Sequence, residues 1–76
     1  MNELDIVKVI QLLNSERPYD GTEGVKHPPQ IGDIGTIVHV YTKDNKEVGY
    51  IVESVSSQGY TNWLAEFLPE EVQSSN

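Results

Sequence analysis

Gln30-Ile31-Gly32-Asp33-Ile34-Gly35-Thr36-Ile37-Val38-His39-Val40-Tyr41 is the stretch whose reading decides the fold. Two glycines three positions apart enclose an aspartate and feed a β-branched run. Glycine either takes positive φ or lets another backbone pass close, so the pair predicts a tight reversal. Ile, Val, Thr and Tyr fit a pleated, half-buried surface, so the segment from Ile34 to Tyr41 reads as a central strand. An aspartate between turn glycines is placed to accept nearby backbone N–H groups, a structural role preferred here to a catalytic one.

Hairpin signals follow on the C-terminal side. Lys43-Asp44-Asn45-Lys46 is a polar turn, and Val48 to Val55 reads as a third strand. Gly49 within it marks a bulge or a close backbone approach. Ser56-Ser57-Gln58-Gly59 is a second turn, with Gly59 free to take positive φ. From Tyr60 to Phe67 the residues alternate, with Thr61, Trp63, Ala65 and Phe67 on one face, so Trp63 and Phe67 are expected in the core. Leu68 to Val72 reads as a single helical turn, with Pro69 and two glutamates at its N-terminal end. Val72 then offers a short last pairing, and residues 73–76 are expected to form a flexible tail.

On the N-terminal side, residues 14–30 form a long loop. Pro18, Gly21, Gly24, Pro28 and Pro29 exclude a regular helix or a central strand there. A loop of this length in a small domain is often functional, or else a tolerated insertion. Leu4 to Leu13 is ambiguous. Polar residues at Asp5, Lys8, Gln11 and Asn14 recur with helical spacing, whereas Ile6, Val7, Val9 and Ile10 favour a strand. A strand is the reading adopted, because a small barrel needs an opening strand here. The whole chain is thus expected to be a single all-β domain, a small five-stranded barrel with a long first loop.

The chain has 76 residues and no cysteine, so a thin apolar core must hold it without disulfides or thiolate metal sites. Twelve acidic residues against five basic ones give a formal charge of −7. Such a surface repels a phosphate backbone, so no nucleic-acid partner is expected. No leader peptide and no membrane span are expected, and a cytoplasmic location follows as the expectation. The charge either keeps a small protein soluble or attracts a basic partner.

The order of parts is similar to that of small barrels of the Src-homology-three type. There, a long loop follows the first strand, two tight hairpins join the central strands, and a helical turn precedes the last strand. More closely, the chain resembles a bacterial family of short proteins known as a domain of unknown function. The resemblance lies in Leu4-Asp5-Ile6-Val7, the Gly-Asp-x-Gly-Thr-Ile-Val run from Gly32 to Val38, Val52-Glu53, and Thr61 to Leu64. It covers nearly the whole chain. It departs at the long loop, which is a short turn in many members. The resemblance implies a fold and carries no activity with it.

Chemistry has few candidates. His27, His39, Asp20, Asp33, Glu53 and Glu66 are the titratable residues considered for catalysis. His39 sits in a strand opposite Val38 and Val40, and His27 precedes two prolines in the loop, so both read as solvated histidines. No ligand spacing for a metal and no phosphate-cradling loop is present, so no metal, no cofactor and no enzyme activity are expected. The expected function is a non-catalytic module that docks a protein partner, itself a monomer or weak homo-oligomer. Arg17, Tyr19, Asp20, Glu23, Tyr50 and Tyr60 are the candidate partner-binding residues. The tyrosines either line an aromatic groove beside the loop or stand at its rim with their hydroxyls in water. The alternative is an immunity or antitoxin protein neutralising a basic toxin nuclease, with Glu3, Glu16, Asp20, Glu23, Glu70 and Glu71 as its acidic patch.

Overall fold

The computed structural model describes residues 1–75. It is an all-β chain of five strands: β1 Ile6–Val9, β2 Ile34–Lys43, β3 Lys46–Val55, β4 Thr61–Phe67 and β5 Val72–Ser74. A single turn of 3-10 helix, Pro69–Glu71, joins β4 to β5. The strands form one antiparallel sheet in the order β4-β3-β2-β1-β5. Its two outer strands are β4 and β5, so the sheet is not closed edge to edge.

The two glycines of the opening stretch serve different ends. Gly32 has φ of 97°, the left-handed region that a side chain rarely adopts. Its N–H donates to the Val9 carbonyl at 2.8 Å, and the Val9 N–H donates to the Asp33 carbonyl at 2.9 Å. The reversal is thereby strapped to the end of β1. Gly35 is buried inside the sheet, where an added Cβ would lie 2.6 Å from Val52 Cγ1 and 2.9 Å from the Glu53 carbonyl oxygen. There the missing side chain lets β2 press against β3.

Asp33 completes the turn. Its Oδ2 accepts the Gln30 N–H at 3.0 Å, and it also accepts the Trp63 Nε1–H at 2.8 Å. Trp63 has no exposed surface, so the one polar atom of its ring finds its partner here. Trp63, Ala65 and Phe67 face the core together with Val7, Val9, Ile37, Tyr50, Val52 and Val72.

The β2–β3 hairpin turns on Asp44 and Asn45, which have φ of 54° and 64°. Two central residues of positive φ match the twist of the flanking strands, and Asn and Asp tolerate that conformation. The tightness of the turn carries pairing out to Lys43 and Lys46, beyond the expected strand ends. Three residues are skipped in the ladders: Val38 in β2, Val48 in β3 and Asn62 in β4. Each such bulge bends its strand and sharpens the twist.

The first strand is shorter than the expected Leu4 to Leu13. Leu4 has φ of 74°, which breaks the extended chain before Ile6. After Val9, the Ile10 and Gln11 N–H groups turn to the Glu71 carbonyl. The expected flexible tail from residue 73 is replaced by pairing through Ser74: Lys8 faces Gln73 and Val7 faces Ser74. Asn76 lies outside the described residues.

The long loop is bonded along the outer edge of β4. Asp20 and Leu64 exchange N–H to carbonyl bonds of 3.0 and 2.8 Å, the Thr22 N–H donates to the Thr61 carbonyl, and the His27 N–H donates to the Asn62 carbonyl. A strand edge that would otherwise offer unpaired groups is thus covered from within the chain.

Gly35→Ala is expected to destabilise the protein by about 1–3 kcal/mol, because the contact it creates is with backbone as well as with a core side chain. Gly59→Ala, at an open turn where nothing lies near the added Cβ, suffers only from its φ. Urea denaturation followed by Trp63 fluorescence separates the two, and equal costs would contradict the close-packing role given to Gly35.

Candidate functional site

Glu71 ends the helical turn with no exposed surface. Its Oε1 accepts the Leu68 N–H at 2.8 Å, and its Oε2 accepts the Leu13 N–H at 2.8 Å and an N–H from Arg17 Nη2. One carboxylate therefore fastens the helical turn to the start of the long loop. Burial pushes its carboxyl up, but the hydrogen bonds from Arg17, Leu68 and Leu13 outweigh that and hold it below the usual carboxylate range.

Arg17 does not project from the loop. Its side chain is only 8% exposed and lies over the Phe67 ring, 4.4 Å from guanidinium carbon to centroid. A cation over an aromatic face adds to the ion pair. The Nη1 atom of Arg17 is buried with no hydrogen-bond partner.

These contacts hold the loop beside the β3–β4 ladder and leave a groove of about 730 Å³ between them. The helical turn supplies Leu68, the loop Leu13 and Tyr19, and the sheet Tyr41, Val48 and Leu64. The Val48 bulge produces the floor, since the skipped residue turns outward beside Tyr41, leaving the two 44% and 39% exposed. Asp20 and Glu66 also line the groove.

Of the residues expected to bind a partner, the structure brings Arg17, Tyr19, Asp20 and Tyr50 to this groove. It places Glu23 and Tyr60 elsewhere. Glu23 pairs with Lys26 at 3.0 Å within the loop, and Tyr60 follows the β3–β4 turn, half exposed. Tyr50 is not a rim residue with its hydroxyl in water. Tyr50 shares a face of β3 with the buried Val52 and Ser54, so it points inward, 2% exposed, and its hydroxyl donates to Glu47 Oε1. Burial, then the bond to the charged Glu47, push its phenol up to about 12. Glu47 is also bound by the Met1 ammonium at 2.8 Å, the main cause of its lowered pKa, followed by the Tyr50 hydroxyl. Glu71 likewise drops out of the expected acidic surface patch, because it is buried and paired.

Of the catalytic candidates, Asp20 and Glu66 share the groove and the other four are scattered. His39 is exposed and edges the Tyr41 ring at 4.6 Å, while His27 Nδ1 lies 2.9 Å from the Pro28 carbonyl oxygen. Glu53 accepts the Thr61 hydroxyl at 2.6 Å, and Asp33 is held by Trp63 and Gln30. Among the described residues no three His, Cys, Asp or Glu side chains cluster as metal ligands. Among the described residues no helix is long and apolar enough to cross a membrane.

Sequence reasoning missed Leu13, Tyr41, Val48 and Leu68 as groove residues, and Glu71 as the group that organises them. The Pro69-Glu70-Glu71 spacing was the available signal, since a glutamate three residues after Leu68 can reach back to that backbone N–H. Comparison of the chain with protein-family models, with curated proteins and with solved structures finds no match.

Because the folded-state pKa of Glu71 lies below the unfolded value, its contribution to stability is full above about pH 4.3 and is lost as pH falls through the folded value. Glu71→Gln keeps the shape but leaves Arg17 buried without its counter-charge, which is expected to cost about 3–5 kcal/mol. Chemical denaturation from pH 7 down to 3 checks both points: the variant is less stable at pH 7, and its deficit shrinks on acidification. In alkali the order reverses for Tyr50, whose raised pKa favours folding below pH 10 and ceases to do so as pH rises towards about 12. Ultraviolet titration of the wild type against Tyr50→Phe is expected to reveal the missing late ionisation.

Proposed function

We propose that this chain is a non-catalytic protein-interaction module, built on a small barrel of the Src-homology-three type, that docks a protein partner in the groove beside its long loop. The observation that carries this reading is the character of the groove. Its walls include Tyr41, Val48, Leu13 and Leu68, each between a third and four-fifths exposed, and its lining includes no His, Ser, Cys or Lys. Arg17 and Glu71 are the pair in it with opposite charge, and each neutralises the other. Half-exposed apolar and aromatic side chains around a concavity are what a partner's anchor residues bury.

The strand order β4-β3-β2-β1-β5, with a helical turn before the last strand, supports the barrel reading. Bulges in three strands supply the curvature such a barrel needs. The loop's bonds to β4 give the groove a fixed wall, so little ordering cost falls on docking. A cytoplasmic setting agrees with an acidic chain that has no cysteine. The immunity-protein alternative draws on charge alone and loses Glu71 from its patch, so the groove reading is preferred.

Selection of a random peptide library displayed on phage against the immobilised chain tests the reading. The expected result is convergence on related peptides whose binding falls about tenfold or more with Tyr41→Ala or Leu68→Ala, the loss of one anchor side chain. Enrichment that is indifferent to both substitutions, or no enrichment at all, would overturn it.

A further inference from the structure

Independently of the docking reading above, we infer that two copies of the chain pair about a twofold axis through Tyr41 and Val48. The β2–β3 arm of each lies across the β3–β4 ladder of the other, with Lys43 and Lys46 set against Glu66 and Asp20. The topology supplies the arm. β1 pairs with β2 only as far as Thr36, and β4 pairs with β3 only from Tyr50 onward. From Tyr41 to Gly49 the hairpin therefore has no third strand beside it among the described residues. A two-stranded ribbon is marginally stable by itself. One face of this ribbon is braced, because Glu47 binds the Met1 ammonium and the Tyr50 hydroxyl. The other face is bare. Tyr41 and Val48 are 39% and 44% exposed there, and Lys43 and Lys46 are exposed beyond them.

That face is complementary to itself in charge. Lys43 and Lys46 stand directly opposite each other, an arrangement that costs stability while both are charged. Neither has an ion-pair partner among the described residues, whereas Arg17 and Lys26 are already paired. Side chains alternate along a strand, so Lys43 shares the face of Tyr41, which is opposite Gly49. In the other direction on that face come Ile51 with Glu66 opposite it, then Leu64 bridged to Asp20. Glu66 and Asp20 are also exposed and without an ion-pair partner among the described residues. At about 3.3 Å per residue, the lysines stand roughly 7 Å to one side of Tyr41, with Glu66 roughly 7 Å and Asp20 roughly 13 Å to the other. A twofold rotation at Tyr41 and Val48 lays the lysines of each copy over the carboxylates of its partner, and the apolar pairs meet at the centre. Opposite charges at matching distances from an apolar centre steer such an encounter and fix its register. The arrangement closes on itself, so association stops at two. The face is smaller than the roughly 20–30 residues a side of a standard interface, so the dimer is weak and depends on concentration. Tyr41 and Val48 also wall the groove, so a second copy and a foreign partner exclude each other there.

Sedimentation equilibrium of the full chain from micromolar to millimolar concentration tests the pairing. The apparent mass is expected to rise from that of one chain towards that of two. Two double variants divide the charges: Lys43→Glu with Lys46→Glu, and Asp20→Lys with Glu66→Lys. All four residues are exposed, so the fold is kept, which circular dichroism checks. Each variant alone is expected to associate about tenfold more weakly than the wild type, or less, because arm and ladder then repel. An equimolar mixture of the two is expected to recover dimerisation, since each arm again meets a ladder of opposite sign. Both variants remain net acidic, so bulk attraction does not produce that recovery. A wild type that stays monomeric throughout would overturn the inference and leave the face to a foreign partner. Association that the lysine substitutions do not weaken, or a mixture that fails to recover it, would overturn the pairing of arm with ladder. Each of these failures is distinct from failure of the docking reading, which is decided by the Tyr41 and Leu68 variants in the library selection.

Discussion

The carboxylate of Glu71 is the interaction on which the remaining arrangement depends. Among the described residues it is the one buried acid, and it gathers donors from three places: the helical turn at Leu68, the head of the loop at Leu13, and the guanidinium of Arg17. A thin core of nine apolar side chains cannot by itself hold a loop that contains three prolines and two glycines. A charged group taken out of water needs several good partners, and satisfying those partners leaves one position for the loop. Arg17 then lies on Phe67, Tyr19 packs against the core, and the chain reaches β4 at Asp20. The groove is a by-product of this anchoring, the space left where a tethered loop and a bent ladder do not meet.

Much of the architecture could be read from local chemistry. The glycine pair around Asp33, the positive-φ residues Asp44 and Asn45, Gly59, and the alternation that sends Trp63 and Phe67 inward are all set by neighbours in sequence. The bulges were legible only at Gly49. Val38 and Asn62 carry no local sign of being skipped, because a register shift depends on what the partner strand presents. The limits of β1 were illegible for the same reason: the Ile10 and Gln11 backbone turns to Glu71, sixty residues away in the chain by order of magnitude.

The site was less legible than the fold. The loop residues Arg17, Tyr19 and His27 stood out because arginine, tyrosine and histidine interrupt a stretch of turn formers. Their roles did not. Arg17 reads as a surface charge until its buried partner is known, and Tyr50 reads as a rim residue until its face of β3 is seen to be the core face. Tyr41, Val48 and Leu68 look like ordinary strand and turn residues, and only three-dimensional curvature brings them together. Groups that act in isolation are visible in a sequence, whereas a concavity belongs to no residue singly.

The way the loop lies along β4 has a bearing on self-association. Asp20, Thr22 and His27 occupy hydrogen-bonding positions that a neighbouring molecule would need in order to extend the sheet. The opposite border, β5, has only three residues. Stacking into amyloid requires a run of several consecutive vacant positions, repeated from copy to copy. An acidic chain with such abbreviated borders resists templated growth at high concentration, even with a dozen sizeable apolar side chains in contact with solvent.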